Sequence, residues 1–295
     1  MQQKFAKITV FALVALLSFS CKKEDASSDQ EPMLRIRIVV DSAQERLGNT
    51  GQTAVMPAGH AGQNPRFNKI SAHYLELAPT AYTQIGKGTI VYHAAETTTG
   101  GDTAIDFSKS RIVRPGDEFL SIPISQLRTG TYQWVRLSLS YQNYTVDYYL
   151  NNQLSNGTIA SFVGYNQYLG VYPVNTLYDT VNANRLQGYW AFETLGRLAS
   201  GQSPAGATTV PNPLAATSPI PPGSCVVTGA FASPLVITGN ETSDITMTLS
   251  LSTNHSFEWE DTNANGKWDI VVVGQTSIVE SVVDMGLRGL IPSHD

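Results

Sequence analysis

Ile245-Thr246-Met247-Thr248-Leu249-Ser250-Leu251 alternates apolar and polar side chains at every step. Successive side chains of a strand point to opposite faces, so this run gives a strand with one buried face. A 3.6-residue helical period would scatter the same apolar groups around the helix. The same alternation recurs in Val135-Arg136-Leu137-Ser138-Leu139-Ser140-Tyr141 and opens Leu34-Arg35-Ile36-Arg37-Ile38-Val39-Val40. Further strands are expected over residues 70–77, 89–93, 144–150, 235–238, 256–260 and 270–273. No segment longer than about a dozen residues carries a capped helical stripe. Residues 187–198 come nearest to one, with Trp190, Leu195 and Leu198 on a shared face. The fold class expected is all-β: an antiparallel β-sandwich, as one large or two smaller units, with long loops and few short helices.

Turn and loop signals divide these strands. Asn156-Gly157 offers the two positive-φ residues of a type I′ turn, which places a hairpin there. The stretch between Gly48 and Asn68 is rich in Gly, Ala, Asn and Pro without periodicity and reads as a long loop. Six prolines between Pro204 and Pro222 exclude helix or central strand and suit either a surface loop or a linker.

Charge removes one class of partner. Of 19 basic side chains against 24 acidic, two (Lys4 and Lys7) precede the first apolar run, so the rest of the chain is more acidic than the overall −5. Phosphate binding needs clustered Lys and Arg, and no such stripe exists, so nucleic acid is not an expected partner.

At the N-terminus, Lys4 and Lys7 precede an apolar run from Ile8 to Leu17, the pattern of a secretory signal. The run is short of the roughly 20 residues that span a bilayer. It ends in Leu17-Ser18-Phe19-Ser20-Cys21, which resembles the lipobox of bacterial lipoproteins. That resemblance implies cleavage before Cys21 and acylation of its thiol. Phe19 is bulkier than the usual occupant, as in the relaxed lipobox of Bacteroidota. Lys22-Lys23-Glu24-Asp25 is similar to the lysine-plus-acids signal that sends such lipoproteins to the cell surface. The implied address is the outer membrane, lipid-anchored and surface-exposed. The expected organisation is a signal peptide over 1–20, a lipidated tether over 21–33 and a sandwich over 34–199. A Pro/Ala/Gly-rich loop or linker follows over 200–224, then a C-terminal β unit over 225–295. Once Cys21 is acylated, Cys225 is the one remaining cysteine, and it reads as the start of a strand, a small hydrophobe rather than a nucleophile.

The sharpest chemical motif is Asp261-Thr262-Asn263-Ala264-Asn265-Gly266-Lys267-Trp268-Asp269. Oxygen-bearing side chains fall at the first, third, fifth and ninth positions, with glycine at the sixth for a sharp turn. This resembles the first three quarters of an EF-hand-type calcium loop. Asp261, Asn263 and Asn265 would converge on one hard cation, Lys267 would offer its carbonyl, and Asp269 would bind directly or through water. Val272 stands where that loop has its bidentate glutamate, so the missing carboxylate must come from elsewhere. Glu258, Glu260, Glu280 and Asp284 are the candidates. The competing reading is a polar hairpin turning at Asn265-Gly266.

Weaker signals fill out the picture. His60, His73, His93, His255 and His294 lack the close spacing of a zinc or copper site on one element. The Ile105-Asp106-Phe107, Ile122-Pro123-Ile124 and Gly130-Thr131-Tyr132 runs are distantly similar to copper-associated MbnP-like proteins. That likeness would draw attention to a histidine near Tyr189-Trp190. Tyr141, Tyr144, Tyr148, Tyr149, Phe162, Tyr165 and Tyr168 could stack on sugars, though tyrosines also suit buried strands. Glu258 and Glu260 share a strand face in the manner of a glycosidase acid pair, but no Gly-x-Ser-x-Gly, His-Glu-x-x-His or phosphate-loop motif occurs. Asp41-Ser42-Ala43, Asp102-Thr103-Ala104 and Asp179-Thr180-Val181 resemble the Bacteroidota O-glycosylation triplet. The role expected is a non-enzymatic binding or adhesion module for a surface glycan or protein, stiffened by calcium. A copper-handling exported protein and a glycan-active enzyme are the alternatives.

Overall fold

The computed structural model describes residues 31–48, 51–203 and 224–295. The signal, Cys21, the Lys-acid-acid run and nearly all of the expected 200–224 linker lie outside the described residues.

The regular secondary structure of the described residues is nearly all strand. In chain order the first are β1 (Met33–Asp41), β2 (His60–Gln63), β3 (Arg66–Ala78), β4 (Thr89–His93), β5 (Glu96–Thr97), β6 (Ala104–Asp106), β7 (Ile112–Val113) and β8 (Glu118–Pro123). The middle of the chain adds β9 (Gly130–Leu150), β10 (Gln153–Phe162), β11 (Asn166–Pro173), β12 (Tyr178–Leu186), β13 (Tyr189–Thr194) and β14 (Arg197–Gln202). The remainder are β15 (Cys225–Ile237), β16 (Ile245–Ser252), β17 (Phe257–Glu260), β18 (Asp269–Val273), β19 (Thr276–Val279), β20 (Val282–Met285) and β21 (Arg288–His294). Among the described residues, helical turns are limited to short 3₁₀ segments at Phe107–Lys109 and Ile124–Gln126.

β9 is the spine. Its first half pairs with β15, its second half with β10, and β3 runs antiparallel along its other edge from Trp134 to Thr145. A second sheet, ordered β21-β16-β1-β8, packs across the first half of this ladder. Alternation decides the contact: Leu34, Ile36 and Ile38 of β1, Met247, Leu249 and Leu251 of β16, and Val135, Leu137 and Leu139 of β9 share one core. Each such side chain contributes about 1.5–3 kcal/mol by leaving water. Beyond Ser140, β9 is covered on both faces. Tyr141 packs with Phe162, Leu169 and Tyr172 on one side, while Tyr144, Val146 and Tyr148 meet Phe257, Trp259 and Trp268 on the other. The architecture is therefore all-β and sandwich-like.

The sheets also run across the two segments expected as a body and a C-terminal unit. β1 pairs in parallel with β16 from Leu34 opposite Ile245 to Asp41 opposite Ser252, and β15 pairs along β9.

Three local expectations are corrected. The 187–198 segment is a hairpin of β13 and β14, turning at Leu195 and Gly196 with φ of 49° and 68°. Tyr189, Ala191 and Glu193 are buried on alternate positions, so period two prevails over the helical spacing of Trp190 and the leucines. Asn156 and Gly157 lie inside β10 opposite Asp147 and Val146, because the turn after β9 is made by Asn151 and Asn152, both at positive φ. The loop expected from Gly48 to Asn68 contains β2 and the start of β3, which draw their order from pairing with β17 and β9.

Candidate functional site

β17 ends at Glu260 and β18 begins at Asp269, so the oxygen-rich motif connects two strands. The Asp261 carboxylate folds the loop around itself: Oδ1 accepts the Asn265 amide N–H at 3.1 Å and Oδ2 that of Gly266 at 2.9 Å. Asn263 Oδ1 accepts from the Asn265 N–H at 3.2 Å, and Asn265 Oδ1 from the Lys267 N–H at 2.8 Å. Ala264 and Gly266 supply the positive φ that the coil requires. The side-chain amides of Asn263 and Asn265 both donate to Asp269 Oδ2, each at 2.8 Å. Hydrogen bonds thus join Asn263 and Asn265 to Asp269, and Asp261 to the backbone of the loop. The Lys267 ammonium lies over the Tyr149 ring at 4.7 Å. Trp268 turns into the core against Phe257 and donates its indole N–H to the Glu280 carbonyl at 3.1 Å.

Glu280 braces the base of the loop. The β18–β19 hairpin carries the chain out and back, so the residue after Val279 returns to the loop's base, where the Glu280 N–H donates to Asp269 O. Its Oε1 accepts from the Thr262 amide at 2.9 Å and the Thr262 hydroxyl at 3.0 Å, and Oε2 from the Asp269 amide at 3.0 Å. Asp261, Asp269 and Glu280, with two asparagines, supply hard-oxygen groups of the kind calcium takes, but among the described residues their carboxylate oxygens do not all lie within 4.8 Å of one another.

Of the other three acids weighed for this role, two are held by arginines and the third is exposed. Glu258 is buried and held by Arg46, by His60 Nδ1 at 2.5 Å and by Arg288 at 3.2 Å. Burial opposes its ionisation, but the hydrogen bonds from His60 and Arg46 outweigh that and hold the carboxyl below its usual range. Glu260, at the end of β17, is exposed. Asp284 meets Arg288 at 2.5 Å, and burial lifts its carboxyl above the ordinary value against that pairing. The Glu258–Glu260 pair is therefore one buried ion-pair partner and one exposed carboxylate.

The histidines, scattered in sequence, are not all scattered in space. β3 and β4 pair with Tyr74 opposite His93, which sets His73 Nε2 3.1 Å from His93 Nε2. Glu96 Oε1 lies 3.0 Å from the first nitrogen and 3.5 Å from the second. The local signal was His93-Ala94-Ala95-Glu96; His73 joins it only through strand register. Burial holds the His73 imidazole below its ordinary value, opposed by Glu96, and the hydrogen bond with His73 holds Glu96 low. His60 belongs to Glu258, while His255 contacts Asn254 and His294 the Ser233 carbonyl.

The remaining candidates take structural places. Cys225 opens β15 opposite Leu139, and burial pushes its thiol up to about 12, which keeps it protonated at neutral pH. Tyr141, Tyr144, Tyr148 and Phe162 are core residues, so they form no sugar-stacking surface. Trp190 lines a cavity of about 450 Å³ together with Phe192 and Trp268, and no histidine lines it among the described residues. Ser42, Thr103 and Thr180 are exposed.

Comparison of the chain with protein-family models, with curated proteins and with solved structures finds no match.

Proposed function

We propose that this chain is a lipid-anchored protein of the bacterial outer membrane, displayed at the cell surface through Cys21. Its β-sandwich body acts as a non-enzymatic binding or adhesion module for a glycan or protein ligand. A structural calcium ion, held by Asp261, Asn263, Asn265, Lys267 and Asp269, stiffens the connection between β17 and β18.

The observation that carries this reading is the position of Glu280. It brings a carboxylate to the base of the loop from outside the motif and braces Thr262 and Asp269 at the two ends of the coil. Calcium takes six to eight oxygens in a flexible geometry, and water can complete this set. The loop roots the β18–β19 hairpin, whose Val271, Val272, Val273 and Ile278 are exposed. Exposed apolar residues of this kind suit a contact surface, and a stiff root reduces the ordering cost of binding through it.

Thermal melting of the purified protein in EDTA and then in millimolar Ca²⁺, beside Asp261→Ala, tests the ion. A rise in Tm that disappears in the variant supports the reading. No rise reduces the loop to a polar turn and removes calcium from the proposal. Fractionation of cells carrying Cys21→Ser tests the anchor, with loss of the protein from the membrane fraction as the expected result.

A further inference from the structure

We propose that His73, His93 and Glu96 form a second metal site, separate from the Asp261 loop and selective for a first-row divalent transition ion of the zinc class. It goes beyond the calcium reading and does not depend on it.

Geometry is the first support. Donor atoms about 2.0–2.1 Å from a tetrahedral ion stand about 3.3 Å from one another. The three ligand atoms here are separated by 3.0, 3.1 and 3.5 Å. One ion at bonding distance from all three therefore needs almost no movement of the side chains.

Proton bookkeeping is the second. With Glu96 ionised, each imidazole presents either N–H or a lone pair at Nε2. If both carry hydrogen, two N–H groups face each other across 3.1 Å; if neither does, lone pairs face each other and the carboxylate. If only His73 carries it, the His93 lone pair faces Glu96, and if only His93 does, the His73 lone pair faces Glu96 at 3.0 Å. Every assignment leaves at least one contact between atoms of like polarity. A cation replaces all three contacts with attractive ones.

The surroundings are those of a supported site. His73 is fully buried, and its carbonyl accepts the Ala94 N–H at 2.7 Å, which ties the two histidine strands together. The Tyr165 hydroxyl donates to Glu96 Oε1 at 2.9 Å and orients the carboxylate, a common outer-shell arrangement. His93 and Glu96 retain 41% and 28% side-chain exposure, so an ion can enter from solvent. Three protein ligands leave a fourth position for water. Two imidazole nitrogens favour zinc, copper or nickel over calcium or magnesium, which separates this site chemically from the oxygen-only loop.

Calorimetric titration of the metal-stripped, untagged protein with ZnCl₂ tests the proposal, beside His93→Ala, Glu96→Gln and Asp261→Ala. The expected result is one Zn²⁺ per chain in the parent and in Asp261→Ala. In His93→Ala and Glu96→Gln it should bind at least about tenfold more weakly, a loss that even outer-shell changes can produce. Melting curves check that each variant is folded, and the visible absorption of added Co²⁺ reports nitrogen ligation in the parent independently of the variants. Absence of Zn²⁺ binding, or binding unaffected by His93→Ala in the folded variant, overturns the proposal and leaves a hydrogen-bonded His-His-Glu cluster.

Discussion

Glu280 Oε1 accepts the backbone N–H of Thr262 at 2.9 Å from eighteen residues further along the chain. A carboxylate from beyond the β18–β19 hairpin thereby holds one end of the loop while its other oxygen holds the amide of Asp269. Glu280→Gln keeps the shape and removes the charge. We expect it to cost about 1–3 kcal/mol in urea denaturation, because three donors lose a charged acceptor at a buried position. Calcium at a hundred to ten times a Kd of about 10⁻⁴ to 10⁻³ M should stabilise the parent by about 1.4–2.7 kcal/mol. The variant should lose most of that increment. An equal calcium response in both proteins would remove Glu280 from the ion's shell.

Glu193 is an internal anchor. Its carboxylate accepts the backbone amides of Asn175, Thr176 and Leu177 and the Thr176 hydroxyl. Burial alone would raise its pKa, but the Thr176 hydroxyl and the three amides together bring it below the ordinary 4.5. A carboxyl depressed in the folded state contributes stability that is complete above its unfolded pKa and is lost as pH falls through the folded one. Stability should therefore decline progressively below about pH 4.5. Glu193→Gln should lower stability at pH 7 by about 1–3 kcal/mol and flatten this acid limb. Chemical denaturation at pH 7 and pH 3 measures both, and an unchanged acid limb would assign the loss to other carboxylates.

The β9–β10 turn offers a backbone test. Asn151 and Asn152 sit at φ of 49° and 65°, where a β-branched side chain is strained. Asn152→Val should cost about 1–2 kcal/mol and Asn152→Gly close to nothing. Gly157→Ala should also destabilise, because its Cβ would meet the Phe192 ring within van der Waals distance. A harmless Asn152→Val would mean that the hairpin turns elsewhere.

Much of the strand content was legible because alternation is a local property of the backbone. Leu34, Ile36 and Ile38, and Met247, Leu249 and Leu251, are buried on the faces their spacing implied. The oxygen spacing of Asp261, Asn263, Asn265 and Asp269 is local in the same way: the amides of Asn263 and Asn265 bond the Asp269 carboxylate, while Asp261 accepts from the loop backbone. Asn-Gly misled at 156–157 because a turn signal only states what a dipeptide tolerates. The register of Val146 against Gly157 and of Leu150 against Gln153 placed the reversal at Asn151-Asn152 instead.

Which acid would meet the loop, and which histidines would meet one another, depends on the pairing of distant segments. Glu258, Glu260, Glu280 and Asp284 look equivalent in sequence, yet Arg46 and Arg288 claim two of them and a hairpin delivers a third. His73 reaches His93 and Glu96 because β3 and β4 settle in a register that buries Leu75 and Leu77. The sequence by itself determined that the chain forms strands, since period two is set by the backbone of each segment alone. Only the tertiary structure decided which side chains converge, since hydrophobic burial summed over all the sheets selects the register that brings them together.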